Sequence, residues 1–347
     1  MDKQRGVRFE RTKGLPIWIL PPSKKMAKPY RSAFMAGIVR DNSAGRWDLR
    51  TFVLLARQSL GFDAATLRIA DLPLRWRIRF LFEKYVALCR FARGSHPELS
   101  IGALRLHVDS ISSLGTLQSN IVDFHREIVR TGLLRGDRPT ILDVGANVGQ
   151  FCLAAKLFYP SATVQSFEAD PETFEMLRQN VGNIPGVTLH NIALASRDED
   201  RTFFRHTLSG MSSFHPYPGH SYAGAGKEIT LTTRCLDDVV EEGTAPDLVK
   251  IDVEGYELEV VNGGTRVLSS TRLLLVEIRL CSSPEDDPNL DLFNAVSQMV
   301  PHARLIRCGR PLGPNDRPVS QDVLFDLSLQ EAIASRHGTT PGRAVQL

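Results

Sequence analysis

The stretch Thr140-Ile141-Leu142-Asp143-Val144-Gly145-Ala146-Asn147-Val148-Gly149-Gln150 constrains this chain more than any other. An apolar, β-leaning run breaks into a glycine-bearing turn and then into helix-forming residues, which reads as strand, tight loop and helix start. In an open α/β sheet such a turn sits at the carboxyl end of the first strand. There Gly145 and Gly149 would let a ligand approach the backbone, and Asp143 would place a carboxylate at the rim. A dinucleotide fingerprint, Gly-x-Gly-x-x-Gly, needs glycines where Asn147 and Gln150 stand, so only the outer Gly-x-x-x-Gly spacing survives. That spacing, with an acid just ahead of it, suits a ligand with a cationic, amino-acid-like end. S-adenosylmethionine (SAM) has such an end.

The β/α alternation continues downstream. Gly149 to Leu157 reads as helix, Thr163 to Phe167 as a second strand, and Pro171 to Val181 as a helix with proline in its first turn. Glu168 closes the second strand nineteen residues beyond Gly149, where an acid accepts hydrogen bonds from ribose hydroxyls. Asp170, just before Pro171, fits a helix N-cap as well as a ligand contact. A third strand, Val187 to Leu189, runs into Asn191-Ile192-Ala193-Leu194. Asn191 offers its side chain to an adenine edge, and the segment through Ala193 offers its backbone. Arg201 to His206 and Glu228 to Thr233 read as added strands around a loop with Met211, Ser212, Ser213, Phe214, His215 and His220 that could fold over a site.

The second informative stretch is Asp247 to Glu257. Leu248, Val249, Ile251 and Val253 make a buried strand, which Lys250, Asp252 and Glu254 interrupt at a period of two. Charges on an interior strand cost too much unless paired or at work. This would be the fourth strand, beside the first, with its carboxyl end at the crevice. Leu273 to Ile278 supplies a fifth strand, Leu290 to Val300 a helix, and Ala303 to Ile306 with Val323 to Phe325 the last two strands.

Charge is uneven along the 347 residues: the first hundred carry 20 of the 42 Lys+Arg but only 8 of the 39 Asp+Glu. Residues 1–48 read as a basic, flexible arm. Residues 49–137 read as a helical extension and lead-in, residues 138–328 as the catalytic domain, and 329–347 as a flexible tail. In the extension Leu74, Ile78, Leu81, Phe82, Tyr85, Cys89 and Ala92 share one helix face, flanked by Arg75, Arg77, Arg79, Lys84, Arg90 and Arg93. Such a helix either packs on the catalytic domain or lies on an anionic membrane surface or lipid-linked substrate. Five scattered cysteines, with no Cys-x-x-Cys, argue against a disulfide framework and a zinc site. No apolar run approaches the ~18 residues of a membrane span. A cytoplasmic protein is expected, with no nucleic-acid partner.

Taken together, Asp143 to Phe151, Phe167-Glu168-Ala169-Asp170-Pro171, Asn191-Ile192-Ala193-Leu194, Met211-Ser212-Ser213, Lys250-Ile251-Asp252-Val253-Glu254-Gly255-Tyr256-Glu257 and Val276-Glu277-Ile278 resemble the FkbM-type SAM-dependent methyltransferases. The resemblance spans roughly residues 100 to 326. It implies an α/β, Rossmann-like seven-stranded methyltransferase sheet with a reversed last strand, here carrying a basic, mainly helical N-terminal extension. It also implies O-methylation of a hydroxyl on a sugar, glycan or polyketide-type small molecule. Where many members continue Glu-Ile into His, this chain has Arg279. Asp143, Gly145, Asn147, Gly149, Glu168, Asn191 and Ala193 are then the expected cofactor residues, Asp252 the expected general base and Glu254 its partner. Two acids on a strand make no recognisable metal motif, so metal dependence stays open. An NAD(P)-dependent dehydrogenase or epimerase, or a non-catalytic nucleotide-binding domain of the same fold, are the competing readings. The absent middle glycine and the lack of a Tyr-x-x-x-Lys pair speak against the first, and Asp143, Glu168 and Asp252 against the second.

Overall fold

The structure is a computed structural model that describes residues 49–91, 93, 95, 97–108, 110–206, 210, 212–215, 227–279, 288–300, 303–308 and 320–328. The expected arm (1–48), the tail (329–347), Ala92, Met211 and His220 lie outside these residues, as does the side chain of Arg279.

The chain enters through helices α1 (Leu49–Leu67) and α2 (Leu74–Phe91), then a hairpin of β1 (Glu98–Ile101) and β2 (Leu104–His107). Ser110 caps α3 (Ile111–Phe124), which runs on as a π-helical turn, His125–Val129. The alternating part follows: β3 (Thr140–Val144), α4 (Gln150–Phe158), β4 (Thr163–Phe167), α5 (Pro171–Val181) and β5 (Val187–His190). Then β6 (Ala193–Ala195), β7 (Asp200–Arg205) and β8 (Lys227–Cys235) form a separate small sheet in the order β6-β8-β7. The short α6 (Leu236–Val239) leads to β9 (Leu248–Ile251), α7 (Glu257–Asn262), α8 (Thr265–Ser269) and β10 (Leu273–Arg279). The chain closes with α9 (Pro288–Met299), β11 (Arg304–Cys308) and β12 (Ser320–Asp326).

The main sheet has the order β5-β4-β3-β9-β10-β12-β11. Its first five strands are parallel and β12 runs against both its neighbours, which is the reversed last strand expected from the sequence. The period-two projection of strand side chains divides the apolar residues between two cores. Ile141, Leu248 and Leu273 face one core with α1 to α5, while Leu142, Val249 and Leu274 face the other with α6 to α9. The chain leaves β3 outward to β4 and β5, then returns to β9 on the opposite flank. The reversal between β3 and β9 opens the crevice in which doubly wound sheets bind ligands.

Two sequence expectations need correction here. The α2 face that packs is Phe80, Lys84, Ala87 and Leu88, joined by Leu81 and Tyr85 of the expected face, while Leu74, Ile78 and Phe82 point outward, Phe82 being 68 % exposed. The apolar pattern misread the buried stripe because that stripe contains a lysine. Lys84 is ion-paired to Asp63 and donates to Gln118 Oε1 at 2.9 Å, and Gln118 Nε2 donates to Asp63 at 2.8 Å. Burial lowers the pKa of Lys84 and Asp63 opposes that shift. A satisfied network of this kind lets a charged residue stand where periodicity demands an apolar one.

The second correction concerns β9, which ends at Ile251, so Glu254 does not continue the period of Lys250 and Asp252. The chain turns there, with Glu254 at φ 56° and Gly255 at φ 99°. The Glu257 carboxylate accepts the N–H groups of Val253 at 3.1 Å and Gly255 at 3.0 Å, satisfying donors that a continuing strand would have paired.

Candidate active site

The β3–α4 loop is shaped by protein contacts before any ligand contact. A Cβ on Gly145 would lie 1.9 Å from the carbonyl oxygen of Asp252, and its φ is +76°. A Cβ on Gly149 would lie 2.9 Å from Val181 Cγ1 on α5, at φ +98°. Both glycines therefore allow the loop to seat against β9 and α5, and Gly149 does not line the cleft. Asn147 supplies the left-handed conformation between them, with φ 50°. Asparagine tolerates that region, so the backbone shape a middle glycine would give is kept without one.

Asp143 is fully buried beneath the loop and is not at the rim, contrary to expectation. Lys250 Nζ sits 3.3 Å from Asp143 Oδ1 and 3.6 Å from Asp252 Oδ2, and donates to the carbonyl oxygen of Gly145 at 2.8 Å. The register explains the first contact, since Asp143 and Lys250 are Cα partners on adjacent parallel strands. Burial works against the Lys250 charge, but the Asp143 and Asp252 carboxylates outweigh it and hold its pKa above the ordinary lysine value. For Asp143 burial raises the pKa and Lys250 opposes the rise.

Glu168 lines the cleft at the end of β4 and accepts two backbone N–H groups, from Asn147 at 2.9 Å and Asp170 at 2.9 Å. Burial pushes its pKa up to about 7 despite those bonds. Asp170 is the N-cap of α5, accepting from Glu172 N–H, and is ion-paired to Arg205. Asn191 and Ala193 do not line the cleft; their neighbours Ile192 and Leu194 do. Asn191 Nδ2 donates to the carbonyl oxygen of Glu168 at 2.9 Å, fastening the β4 end, and Ala193 is buried in β6.

Asp252 and Glu254 both face the cleft, the Asp252 side chain being 39 % exposed. The same cleft carries an aromatic wall, of which sequence reasoning offered Phe214 in its loop but not the contacts it makes. Phe214 packs on Tyr256 with centroids 4.8 Å apart and on Phe203 at 5.1 Å. Ser213 Oγ donates to the Glu254 carbonyl oxygen at 2.7 Å and so ties the wall to the turn. Thr116 and Asn120 of α3 close the remaining side. These residues come from four separate chain segments, and no local pattern links them.

The parallel-rich seven-stranded sheet with its reversed final strand places the crevice at the carboxyl ends of β3, β4 and β9. Residues 143–305 match the model of the methyltransferase FkbM domain. The chain is 30 % identical over 200 residues to hexuronic acid methyltransferase AglP of Haloferax volcanii, covering 54 % of this chain and 76 % of that one. It is 29 % identical over 177 residues to 2-O-methyltransferase NoeI of Sinorhizobium fredii, covering 44 % and 68 %. To 31-O-demethyl-FK506 methyltransferase FkbM of Streptomyces tacrolimicus it is 32 % identical over 157 residues, covering 35 % and 58 %. The chain belongs to the FkbM methyltransferase family, and its methyl donor is SAM.

The tight seating of the loop carries a test. Gly145→Ala is expected to lower the thermal midpoint far more than Gly136→Ala. Gly136 shares the φ of +76°, but a Cβ there would meet nothing within 4 Å, so it bears only the left-handed penalty of about 1–2 kcal/mol. Equal midpoints for the two variants would mean that the Asp252 contact does not hold the loop.

Proposed function

We propose that this enzyme O-methylates a hydroxyl of a sugar, glycan or polyketide-type small molecule, with Asp252 as general base and Glu254 orienting the acceptor. The observation that carries the reading is a half-exposed carboxylate, Asp252, held by Lys250 at 3.6 Å in a cleft that also carries an aromatic wall. Aromatic faces suit the apolar C–H face of a sugar ring, while carboxylates suit its hydroxyls. The names of AglP and NoeI, which specify a hexuronic acid and a 2-O position, point the same way.

The cleft suits SAM on its own residues. Asn147 Oδ1 is buried without a hydrogen-bond partner and offers an acceptor to an ammonium group. Glu168 is placed to accept ribose hydroxyls, and Ile192 and Leu194 supply an apolar seat for an adenine ring. The Gly145-to-Asn147 loop would take the amino-acid end, with Asp143 acting beneath it through Lys250. SAM brings an already activated methyl group on a sulfonium sulfur. The protein's share is to exclude water, align the acceptor, and accept its proton at the Asp252 carboxylate.

Asp252→Asn preserves the side-chain shape and removes the base. Turnover is expected to fall by about 10² or more, with little change in S-adenosylhomocysteine affinity by calorimetry. Near-normal turnover would remove Asp252 from the proton step.

Glu168 gives the cofactor site a pH dependence. An ionised carboxylate accepts ribose hydroxyls better than a protonated one, and burial sets its pKa at about 7. S-adenosylhomocysteine affinity is therefore expected to rise through pH 7 and level off above it, losing up to about tenfold per pH unit below. Glu168→Gln should flatten that profile; an unchanged profile in the variant would place the titrating group elsewhere.

We infer cytoplasmic placement with peripheral contact to an anionic membrane or lipid-linked acceptor. No helix among the described residues is long and apolar enough to cross a membrane. The support for contact is the outward row Leu74, Ile78 and Phe82 on α2, beside Arg75 and Arg79. Ile78→Ser with Phe82→Ser should weaken sedimentation with phosphatidylserine vesicles and leave methyl transfer to a soluble acceptor intact. Equal sedimentation of variant and parent would sink the idea.

A further inference from the structure

A third acid stands beside the two already described. The register pairs Val276 of β10 with Ile251 of β9, so Glu277 is level with Asp252, and neighbours at one level of a parallel pair project to the same face. Glu254 reaches the same point from its left-handed turn. Carboxylate oxygens of Asp252, Glu254 and Glu277 all lie within 4.8 Å of one another. Glu277 is only 7 % exposed, and its Oε2 has no hydrogen-bond partner. A buried carboxylate oxygen left this way is costly unless something positive meets it.

The spacing matches an ion. Opposite ligands of one calcium lie about 5 Å apart and those of one magnesium about 4 Å, so the 4.8 Å limit spans a calcium as it stands and a smaller cation once the side chains draw in by under about 1 Å. Ligands that are all oxygen select hard cations, and the exposed side of Asp252 gives access from the cleft. We propose that Asp252, Glu254 and Glu277 form a binding site for a hard divalent cation, such as Mg²⁺ or Mn²⁺, on the acceptor side of the cleft.

Its use rests on the methyl-transfer reading. The ion would take the acceptor hydroxyl oxygen as a further ligand and ease loss of its proton. That proton passes to an unligated Asp252 oxygen or to water. The new O–C bond forms as the C–S bond breaks, leaving a methyl ether and an uncharged thioether.

Mn²⁺ alone, titrated into the full chain after chelator treatment and followed by calorimetry and electron paramagnetic resonance, tests the site. One Mn²⁺ per chain is expected, bound at least about tenfold more weakly by Glu277→Gln and Glu254→Gln, with S-adenosylhomocysteine binding kept in both. Mn²⁺ should raise the thermal midpoint of the parent but not of Glu277→Gln. In chelator the Glu277→Gln protein should melt no lower than the parent, because it removes a repelling buried acid. No uptake at millimolar Mn²⁺ by parent protein that binds S-adenosylhomocysteine, or equal uptake by the variants, overturns the proposal. Mn²⁺ uptake that depends on Glu277 in protein that fails to bind S-adenosylhomocysteine supports the site and removes the methyl-transfer reading instead.

Discussion

The Lys250 ammonium joins three parts of the molecule that must stay in register for the cleft to exist. It pairs with Asp143 under the first loop, holds the Gly145 carbonyl of that loop, and reaches Asp252 at the end of the neighbouring strand. Burying Asp143 and Lys250 is expensive, and removing either would strand the other, at a cost of about 3–5 kcal/mol. The arrangement persists because each charge answers another. It also fixes how far the loop after β3 can stand from the turn after β9, and Gly145 is the only residue type that fits the gap.

Around that hub the two loops divide the work. The β3 and β4 ends are locked by Glu168, whose oxygens receive N–H groups from Asn147 and Asp170, while Asn191 fastens the β4 end from behind. The β9 turn is locked by Glu257, which accepts the N–H groups of Val253 and Gly255. Residues that a motif reading assigns to the ligand thus serve first as internal scaffolding. Ligand-facing groups are in part their neighbours, such as Ile192 and Leu194 beside Asn191 and Ala193.

Periodicity carried the sheet well where neighbouring residues decide the outcome. The strand Thr163 to Phe167 and the helix Pro171 to Val181 coincide with β4 and α5, because β-branched alternation and a capped proline start are local signals. It failed at α2, where buried Lys84 breaks the apolar stripe, and at Glu254, where a left-handed turn ends the strand two residues earlier than alternation suggests. Glycine counting was also insufficient to separate cofactors, since Asn147 adopts the conformation that a middle glycine would take. Family membership decided that question.

The sequence by itself determined the α/β class, the strand that opens the site, and the presence of Asp143, Glu168, Lys250, Asp252 and Glu254 as charged residues in interior stretches, which few folds tolerate without pairing. Only the tertiary structure decided which of them meet. Parallel pairing sets Asp143 against Lys250 across 107 residues of chain and Glu277 level with Asp252, and the aromatic wall joins Phe203 of the small sheet, Phe214 and Tyr256 of the turn after β9. Such contacts depend on strand order and register, which are settled by packing two cores on one sheet and leave no trace in local spacing.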